Sequence, residues 1–326
     1  CRVRAVPCPL ATALARRRLC GERRTFMALH RFSLELFVPR SAEGAAQLIE
    51  QLGDMAAFGP GLISLSGFVP AADAAEALAA AVRAHGLRLQ LHLASDVSRA
   101  HAAAVVAACH RIGACDLLLM PALGERPPPP PGELSEHDAG SFGSGLELLR
   151  FVSGLLARHR GHTVRVGVLG YPRGSAGEAA DYAADLEQLR LLLREGASCI
   201  VCQPVFEATA VAALIADLGH DARGVTLQPT LLPMGRGLGR LCRLLRVSPP
   251  PELLNDLAAA QTEAAMEQVG QAAYASLARQ MRALVAPPGG EIMLHLAALN
   301  DARCAALAGF APLVHRTAGP AISLVR

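Results

Sequence analysis

Short apolar runs alternate with longer amphipathic runs along the chain from residue 32 onward. The short runs are rich in leucine, valine and isoleucine, which is typical of strands buried on both faces of a parallel sheet. The longer runs carry apolar residues at helical spacing. The predicted strands are 33–38, 62–66, 88–93, 116–120, 164–169, 199–203, 224–228 and 291–296. The predicted helical regions are 41–57, 71–85, 97–111, 145–158, 177–194, 207–218, 236–284 and 300–309.

Eight strand–helix units in succession predict an α/β fold, the (β/α)8 TIM barrel, as a single domain. Such barrels have about 250 residues, and this chain shows no second repeating pattern. We therefore expect the barrel to cover residues 32–312, after an arginine-rich leader at 1–31 and before a C-terminal tail at 313–326.

In a barrel of this kind, polar side chains at the carboxyl ends of the strands face the active site. The sequence places a convergent set of polar residues at or just after those ends. They are Glu35, Ser66, His92, Glu125, Tyr171, Gln203, Gln228 and the segment 295–300.

The charged residues exclude several classes of function. All 31 basic residues are arginine, so the chain has neither a lysine for a Schiff base nor the phosphate-binding lysine of a P-loop. The net charge is +3, and the leader alone contributes eight arginines against one acid, Glu22. Since the remaining residues carry a net negative charge, no basic surface for nucleic acid is expected.

The leader admits two interpretations. An arginine-rich, acid-poor segment is typical of a mitochondrial transit peptide, whereas a disordered or untranslated segment would leave Met27 as the natural start. No apolar stretch of membrane-spanning length occurs. We predict a cytoplasmic protein, or a mitochondrial one if the leader is a transit peptide.

Nine scattered cysteines indicate reduced, intracellular usage. Cys199 and Cys202 have the spacing of a redox or zinc pair, but they lie on a predicted strand, where side chains three apart point to opposite faces. The sequence therefore predicts neither a disulfide nor a metal site.

Seven short motifs occur in order over 32–312. They are SLELFVPR (33–40), LHL (91–93), LGERPP (123–128), LGYP (169–172), EGASCIVCQPVFE (195–207), PTLLPM (229–234) and HLAALN (295–300). Together they resemble the motifs of the methylenetetrahydrofolate reductase family, whose barrel passes hydride from a nicotinamide cofactor through FAD to a folate. The resemblance implies reduction of 5,10-methylenetetrahydrofolate to 5-methyltetrahydrofolate by NADH or NADPH, a step of one-carbon metabolism that serves methionine biosynthesis.

The resemblance also implies roles for individual residues. Glu35 would be the general acid that protonates the folate, which calls for a raised carboxyl pKa in a desolvated barrel mouth. Glu125 and Gln203 would bind the folate. The residues implied to contact FAD are Ser66, His92, Gly124, Glu125, Tyr171, Asp185 and Gln188.

Departures from the family pattern fall at the phosphate end of the cofactor. Leu123, Ser175 and Leu192 stand where the family has arginine, histidine and a basic residue. Nearby arginines that could compensate are Arg126, Arg173 and Arg190. If they do not, FAD binding is expected to be weak or absent.

Two alternatives to the reductase therefore remain. One is a barrel without catalytic activity, acting as a structural or binding subunit of a larger assembly, which would be mitochondrial if the leader is a transit peptide. The other is a proline dehydrogenase-like oxidoreductase, against which the glutamate motif of the first strand argues. The partners we expect are a folate and either further copies of the chain or a larger assembly, with no nucleic acid.

Overall fold

The computed structural model describes residues 32–120, 142–159, 163–173, 179–235, 237–245 and 247–297. The strands are β1 (Phe32–Phe37), β2 (Leu62–Ser66), β3 (Leu89–Ala94), β4 (Asp116–Met120), β5 (Arg165–Gly170), β6 (Cys199–Pro204), β7 (Thr226–Leu231), β8 (Glu291–Ile292) and β9 (Leu294–Ala297). The helices are α1 (Ala42–Ala57), α2 (Asp73–Ala84), α3 (Arg99–Ile112), α4 (Gly145–Leu156), α5 (Ala179–Arg194), α6 (Ala208–Leu218), α7 (Leu238–Leu245), α8 (Pro251–Ala259) and α9 (Glu263–Arg282). The leader, the tail and the predicted helix 300–309 lie outside these residues.

The strands form one closed, parallel sheet. Each of β1 to β6 pairs with the next strand in the chain, β7 pairs with β8 and β9, and β9 pairs with β1. The segments β8 and β9, separated by Met293, together make the eighth barrel strand. The prediction of a single-domain (β/α)8 barrel is confirmed.

The long helical region 236–284 is where the predicted elements differ most from the structure. It contains the three helices α7, α8 and α9 instead of one. The three prolines at 249–251 separate α7 from α8, because proline lacks the amide hydrogen that a helix interior needs. Thr262 then caps α9 by accepting a hydrogen bond from the amide of Ala265.

Serine caps start three further helices of the barrel. The hydroxyls of Ser41, Ser98 and Ser144 accept hydrogen bonds from backbone amides in the first turns of α1, α3 and α4. These caps satisfy amides that have no partner within the helix.

Two cores result from the alternation of side chains along the strands. Leucines such as Leu34, Leu36 and Leu91 point outward and pack beneath the helices. Beyond the buried Asp116 at the start of β4, the interior of the barrel is apolar on β4 to β6, where Leu118, Cys199 and Val201 pack with Met120 and Leu169.

On the other side the interior is polar. Here β1, β2, β3, β7 and β9 contribute buried polar side chains, namely Ser33, Ser64, Gln90, His92, Thr226, Gln228, Thr230 and His295. We call this set, together with Glu35, the polar interior.

The predicted separation of the two cysteines on β6 is confirmed. Cys199 lies in the interior cluster, whereas Cys202 lies in the outer core. Burial also raises the pKa of the Cys202 thiol to about 12, so this thiol is protonated at neutral pH.

An ion triad joins the amino-terminal ends of three strands. The carboxylate of Asp116, at the start of β4, lies 2.9 Å from Arg88 and 2.7 Å from Arg165. Asp116 is buried, whereas both arginines are about one-third exposed. Because this end of a barrel serves stability rather than catalysis, we assign the triad to holding β3, β4 and β5 together.

Replacing Asp116 with Asn should lower the free energy of unfolding by about 3 kcal/mol, because two arginines lose their anionic partner at a buried position. Urea denaturation followed by circular dichroism measures the loss. Glu195→Gln, which breaks the exposed ion pair with Arg150, is the matched control and should change stability far less. Equal losses in the two variants would contradict this role for the triad.

Helix α9 packs directly against the backbone that follows β7. A Cβ atom added at Gly270 would lie 1.5 Å from the carbonyl oxygen of Met234. Gly270→Ala should therefore destabilise the protein by about 2 kcal/mol through overpacking. Gly154, an exposed glycine in α4 with nothing within 4 Å of an added Cβ, provides the control. Gly154→Ala should raise the unfolding free energy by about 0.5 kcal/mol in the same urea assay, and a Gly270→Ala protein of unchanged stability would contradict the packing.

Candidate functional site

Glu35 lies near the middle of β1 with its side chain in the barrel interior, and 16% of that side chain is exposed. Two imidazoles flank its carboxylate, one for each oxygen. Nδ1 of His92 is 3.8 Å from Oε1, and Nε2 of His295 is 3.4 Å from Oε2. The arrangement places the carboxylate between two imidazole rings.

Each imidazole is anchored by a serine on a neighbouring strand. Nε2 of His92 is 2.6 Å from the hydroxyl of Ser64, and Nδ1 of His295 is 2.8 Å from the hydroxyl of Ser33. Strand register produces these contacts, because Ser33 pairs with His295 between β1 and β9. Both rings are thus held in fixed orientations toward Glu35.

Hydrogen bonds with the surrounding groups determine the pKa of Glu35. Burial raises this pKa, but the hydrogen bond with His295, the charges of His92 and His295 and a hydrogen bond with Ser66 lower it. The net pKa lies below the ordinary value of a glutamate. The expectation of a raised pKa is therefore wrong for the protein without a ligand, because polar partners outweigh desolvation.

His92 shows the opposite balance. Burial lowers its pKa to about 4, and the charge of Glu35 offsets only part of that effect. His92 is consequently neutral at pH 7, with one ring nitrogen carrying hydrogen and the other free to accept.

The structure brings three further predicted residues to the same end of the barrel. Ser66, the last residue of β2, hydrogen-bonds Glu35. Gln203 lies partly exposed near the end of β6. Tyr171, predicted to contact the cofactor, directly follows β5 and is partly buried. Gly124 and Glu125 lie outside the described residues.

The remaining predicted residues lie on α5, outside the barrel. Gln188 is exposed and Asp185 is partly buried. Both stay predictions as cofactor contacts, as does His92, whose nitrogens point toward Ser64 and Glu35.

The arginines proposed to compensate at the phosphate end differ in position. Arg190 contacts Asp221 and the carbonyl oxygen of Asp217, in the connection that leads to the amino-terminal end of β7. It is therefore directed away from the carboxyl-terminal mouth. Arg173 follows β5 at that mouth and pairs with Glu207, with both side chains largely exposed. Arg126 lies outside the described residues.

Sequence reasoning missed the polar residues beneath Glu35. Ser33, Ser64 and Gln90 were not among the candidate site residues, although the patterns SLE in β1 and QLH in β3 place polar residues on the same face as Glu35 and His92. This alternation of polar and apolar residues, with a period of two, was the signal in the sequence that could have identified them.

In the part of the chain that is described, no helix combines the length and apolar character needed to span a membrane.

The low pKa of His92 predicts a pH-dependent stability. Between its unfolded pKa near 6.5 and its folded pKa of about 4, the unfolded chain binds a proton that the folded chain does not. Stability should therefore fall as the pH falls, by about 2 kcal/mol between pH 7 and pH 5.

His92→Gln should abolish this part of the pH dependence, measured as urea unfolding free energy at both pH values. The exposed histidine His85, replaced by glutamine, is the control and should leave the dependence intact. An unaltered slope in His92→Gln would show that His92 does not carry the effect.

Comparison with solved structures shows the same barrel elsewhere. The chain is similar to an uncharacterized protein from Clostridium thermocellum that binds two copies of 5-methyl-5,6,7,8-tetrahydrofolic acid. The likeness has a TM-score of 0.58 at 10% identity and covers 88% of this chain and 95% of that one.

Two other structures are less similar. The chain has a TM-score of 0.46 with 2,3-dimethylmalate lyase, at 11% identity over 96% of this chain and 88% of that one. It has a TM-score of 0.45 with an oxaloacetate acetylhydrolase, at 15% identity over 88% of this chain and 77% of that one.

Sequence comparison gives the family. The profile described as methylenetetrahydrofolate reductase matches residues 23–307, which span the whole described barrel. The motifs at the strand ends and the carboxyl group on β1 lie within that match. The chain therefore belongs to the methylenetetrahydrofolate reductase family.

Proposed function

We propose that this protein binds 5,10-methylenetetrahydrofolate at the carboxyl-terminal mouth of the barrel and reduces it to 5-methyltetrahydrofolate, with NADH or NADPH as reductant and FAD as the intermediate carrier. The observation that carries the proposal is the carboxyl group of Glu35, held between His92 and His295 in a barrel of this family. The binding of 5-methyltetrahydrofolate by the similar clostridial protein supports a folate as the ligand.

The described residues fit a flavin at this end of the barrel. Ser66, Tyr171 and Gln203 supply polar groups at the carboxyl ends of three strands. Arg173 lies two residues after Tyr171, and opening its exposed pair with Glu207 costs little, about 1 kcal/mol or less. It could therefore face the cofactor's diphosphate as its cation. When bound, FAD would supply the hydride.

Glu35 would act on the folate as general acid. Its proton would go to the folate nitrogen whose bond to the methylene carbon breaks, leaving an iminium ion at the other nitrogen. Addition of hydride to that iminium carbon completes the methyl group, and the Glu35 carboxylate regains a proton from solvent. Protonation of the leaving nitrogen is required because an amine anion is a poor leaving group.

A bound folate would change the state of Glu35. In the protein without a ligand the carboxyl pKa is lowered, so Glu35 is ionised at neutral pH. A ligand over the mouth removes the remaining exposure of the carboxylate and strengthens the desolvation that raises its pKa. Binding should therefore be accompanied by proton uptake.

Other mouth residues would orient the folate. Gln203 can donate and accept hydrogen bonds at once, as a pterin ring requires. Phe37 lies two residues beyond Glu35 on the same face of β1, with 40% of its area exposed, and offers an aromatic surface beside the carboxyl group.

The purified full chain tests the proposal by its absorbance spectrum. We expect a flavin band that bleaches with NADH or NADPH and recovers with methylenetetrahydrofolate. In Glu35→Gln the bound flavin should still be reduced by NADH or NADPH. Reduction of the folate should be at least about 100-fold slower, because the general acid is lost. Glu43→Gln, on the exposed first turn of α1, is the control and should keep both steps. Survival of both steps in Glu35→Gln would disprove the acid role.

The position of Arg190 favours a second candidate, a folate-binding barrel without FAD that serves as a subunit of a larger assembly. Arg190 is engaged near the amino-terminal end of β7, so it supplies no cation at the mouth. A colourless protein that takes up no added FAD but binds 5-methyltetrahydrofolate in calorimetry would support this candidate against the reductase.

A further inference from the structure

The hydroxyl of Ser64 lies between two partners. Its Oγ is 2.6 Å from Oε1 of Gln90 and 2.6 Å from Nε2 of His92. A hydroxyl has a single hydrogen to donate, and an amide oxygen has none. The hydrogen must therefore lie between Ser64 and Gln90, since two oxygens at 2.6 Å without it would repel each other.

The amide oxygen of Gln90, and not its nitrogen, faces the Ser64 hydroxyl. Gln90 is fully buried on β3 and cannot exchange this partner for bulk water.

The tautomer of His92 follows from this assignment. Because the Ser64 hydrogen points to Gln90, Ser64 can only accept a hydrogen bond from His92, which places the ring hydrogen on Nε2. Nδ1 then carries a lone pair that faces Glu35 Oε1 at 3.8 Å. Within the described residues, Nδ1 of His92 is buried and has no hydrogen-bond partner.

We propose that Gln90 is a positioning residue: through Ser64 it holds His92 as the Nε2–H tautomer, so that the Nδ1 lone pair, 3.8 Å from Oε1, is available to accept a hydrogen bond from the carboxyl group of Glu35 once that group is protonated. The two histidines then have different tasks. His295 faces the other oxygen and stabilises the carboxylate. The charge of His92 also favours the carboxylate, but only in the protonated ring; at neutral pH the ring is neutral and turns its Nδ1 lone pair toward the acid. The use of that proton on a folate rests on the proposed function, but the tautomer does not.

The groups that act on Glu35 are few. Among the described residues, two titratable side chains act on Glu35, namely His92 on β3 and His295 on β9. The hydroxyl of Ser66 on β2 also forms a hydrogen bond with it. On the side of β4 and β5 the interior residues Leu118, Met120 and Leu169 are apolar. A change at Gln90 should therefore reach Glu35 through His92.

The tautomer can be measured directly. In full-length protein labelled with 15N-histidine, two-bond proton–nitrogen correlation spectra at neutral pH distinguish Nε2–H from Nδ1–H, and the spectrum of His92→Asn identifies the signals. We expect wild-type His92 to be the Nε2–H form. In Gln90→Leu, Ser64 is free to donate to His92, and the ring should shift toward Nδ1–H. A wild-type Nδ1–H ring, or an unchanged tautomer in a folded Gln90→Leu protein, would overturn the proposal.

Gln228 provides the matched control. It is also a fully buried glutamine of the polar interior, and neither of its amide atoms has a hydrogen-bond partner among described residues. Gln228→Leu should leave the His92 tautomer as in wild type. If Gln90→Leu does not fold, Ser64→Ala removes the acceptor of the Nε2–H and should likewise weaken the preference, and the wild-type spectrum alone still decides the tautomer.

A second measurement follows the proton on Glu35. Titration of its side-chain carboxyl by 13C NMR should show a proton dissociation constant about tenfold larger in Gln90→Leu than in wild type or Gln228→Leu, as expected for one lost hydrogen bond. A role in packing alone would leave this constant unchanged. If the protein proves to lack reductase activity while the tautomer and the titration behave as stated, the proposed function fails and the positioning role of Gln90 stands.

Discussion

Pairing of β1 with β9 closes the barrel, and the candidate site depends on that closure. The pairing sets Ser33 opposite His295 and brings the first and last described strands, more than 250 residues apart in the chain, into contact. Without it Glu35 would be on an edge strand with one imidazole. The closed sheet gives its carboxylate a histidine on each side.

The interior of this barrel is divided between polar and apolar halves, and the division has an energetic basis. Leu118, Cys199 and Val201 fill the half formed by β4 to β6 without any need for partners. In the other half each buried polar group costs free energy unless it is hydrogen-bonded. The contacts from Gln90 Oε1 through Ser64 to Nε2 of His92 meet part of that requirement, whereas Gln90 Nε2, His92 Nδ1 and both amide atoms of Gln228 have no hydrogen-bond partner among the described residues. The same contacts fix the orientation of the His92 ring. The hydrogen bonds that buried polar groups require therefore also position a side chain of the candidate site.

The periodic pattern allowed the barrel and its mouth to be predicted. Every predicted strand has a counterpart, because the strand segments are short, apolar-rich runs whose length distinguishes them from the longer amphipathic helices. Glu35, Ser66, His92 and Gln203 were expected at strand ends, and they lie toward the same end of the barrel. The prediction of one long helical region at 236–284 was wrong because it followed the apolar spacing alone. That spacing continues past prolines 249–251, whereas the helix ends there because proline lacks a backbone amide hydrogen.

The sequence by itself determined the fold class and the carboxyl group on the first strand, since both follow from local periodicity and residue type. Only the tertiary structure decided the register between strands, and with it which serine anchors which histidine, why the pKa of Glu35 is lowered, and that Arg190 points away from the mouth. These properties depend on distances of a few ångströms between residues far apart in the chain. Electrostatic and hydrogen-bond energies change steeply over such distances, and no pattern along a single strand encodes them.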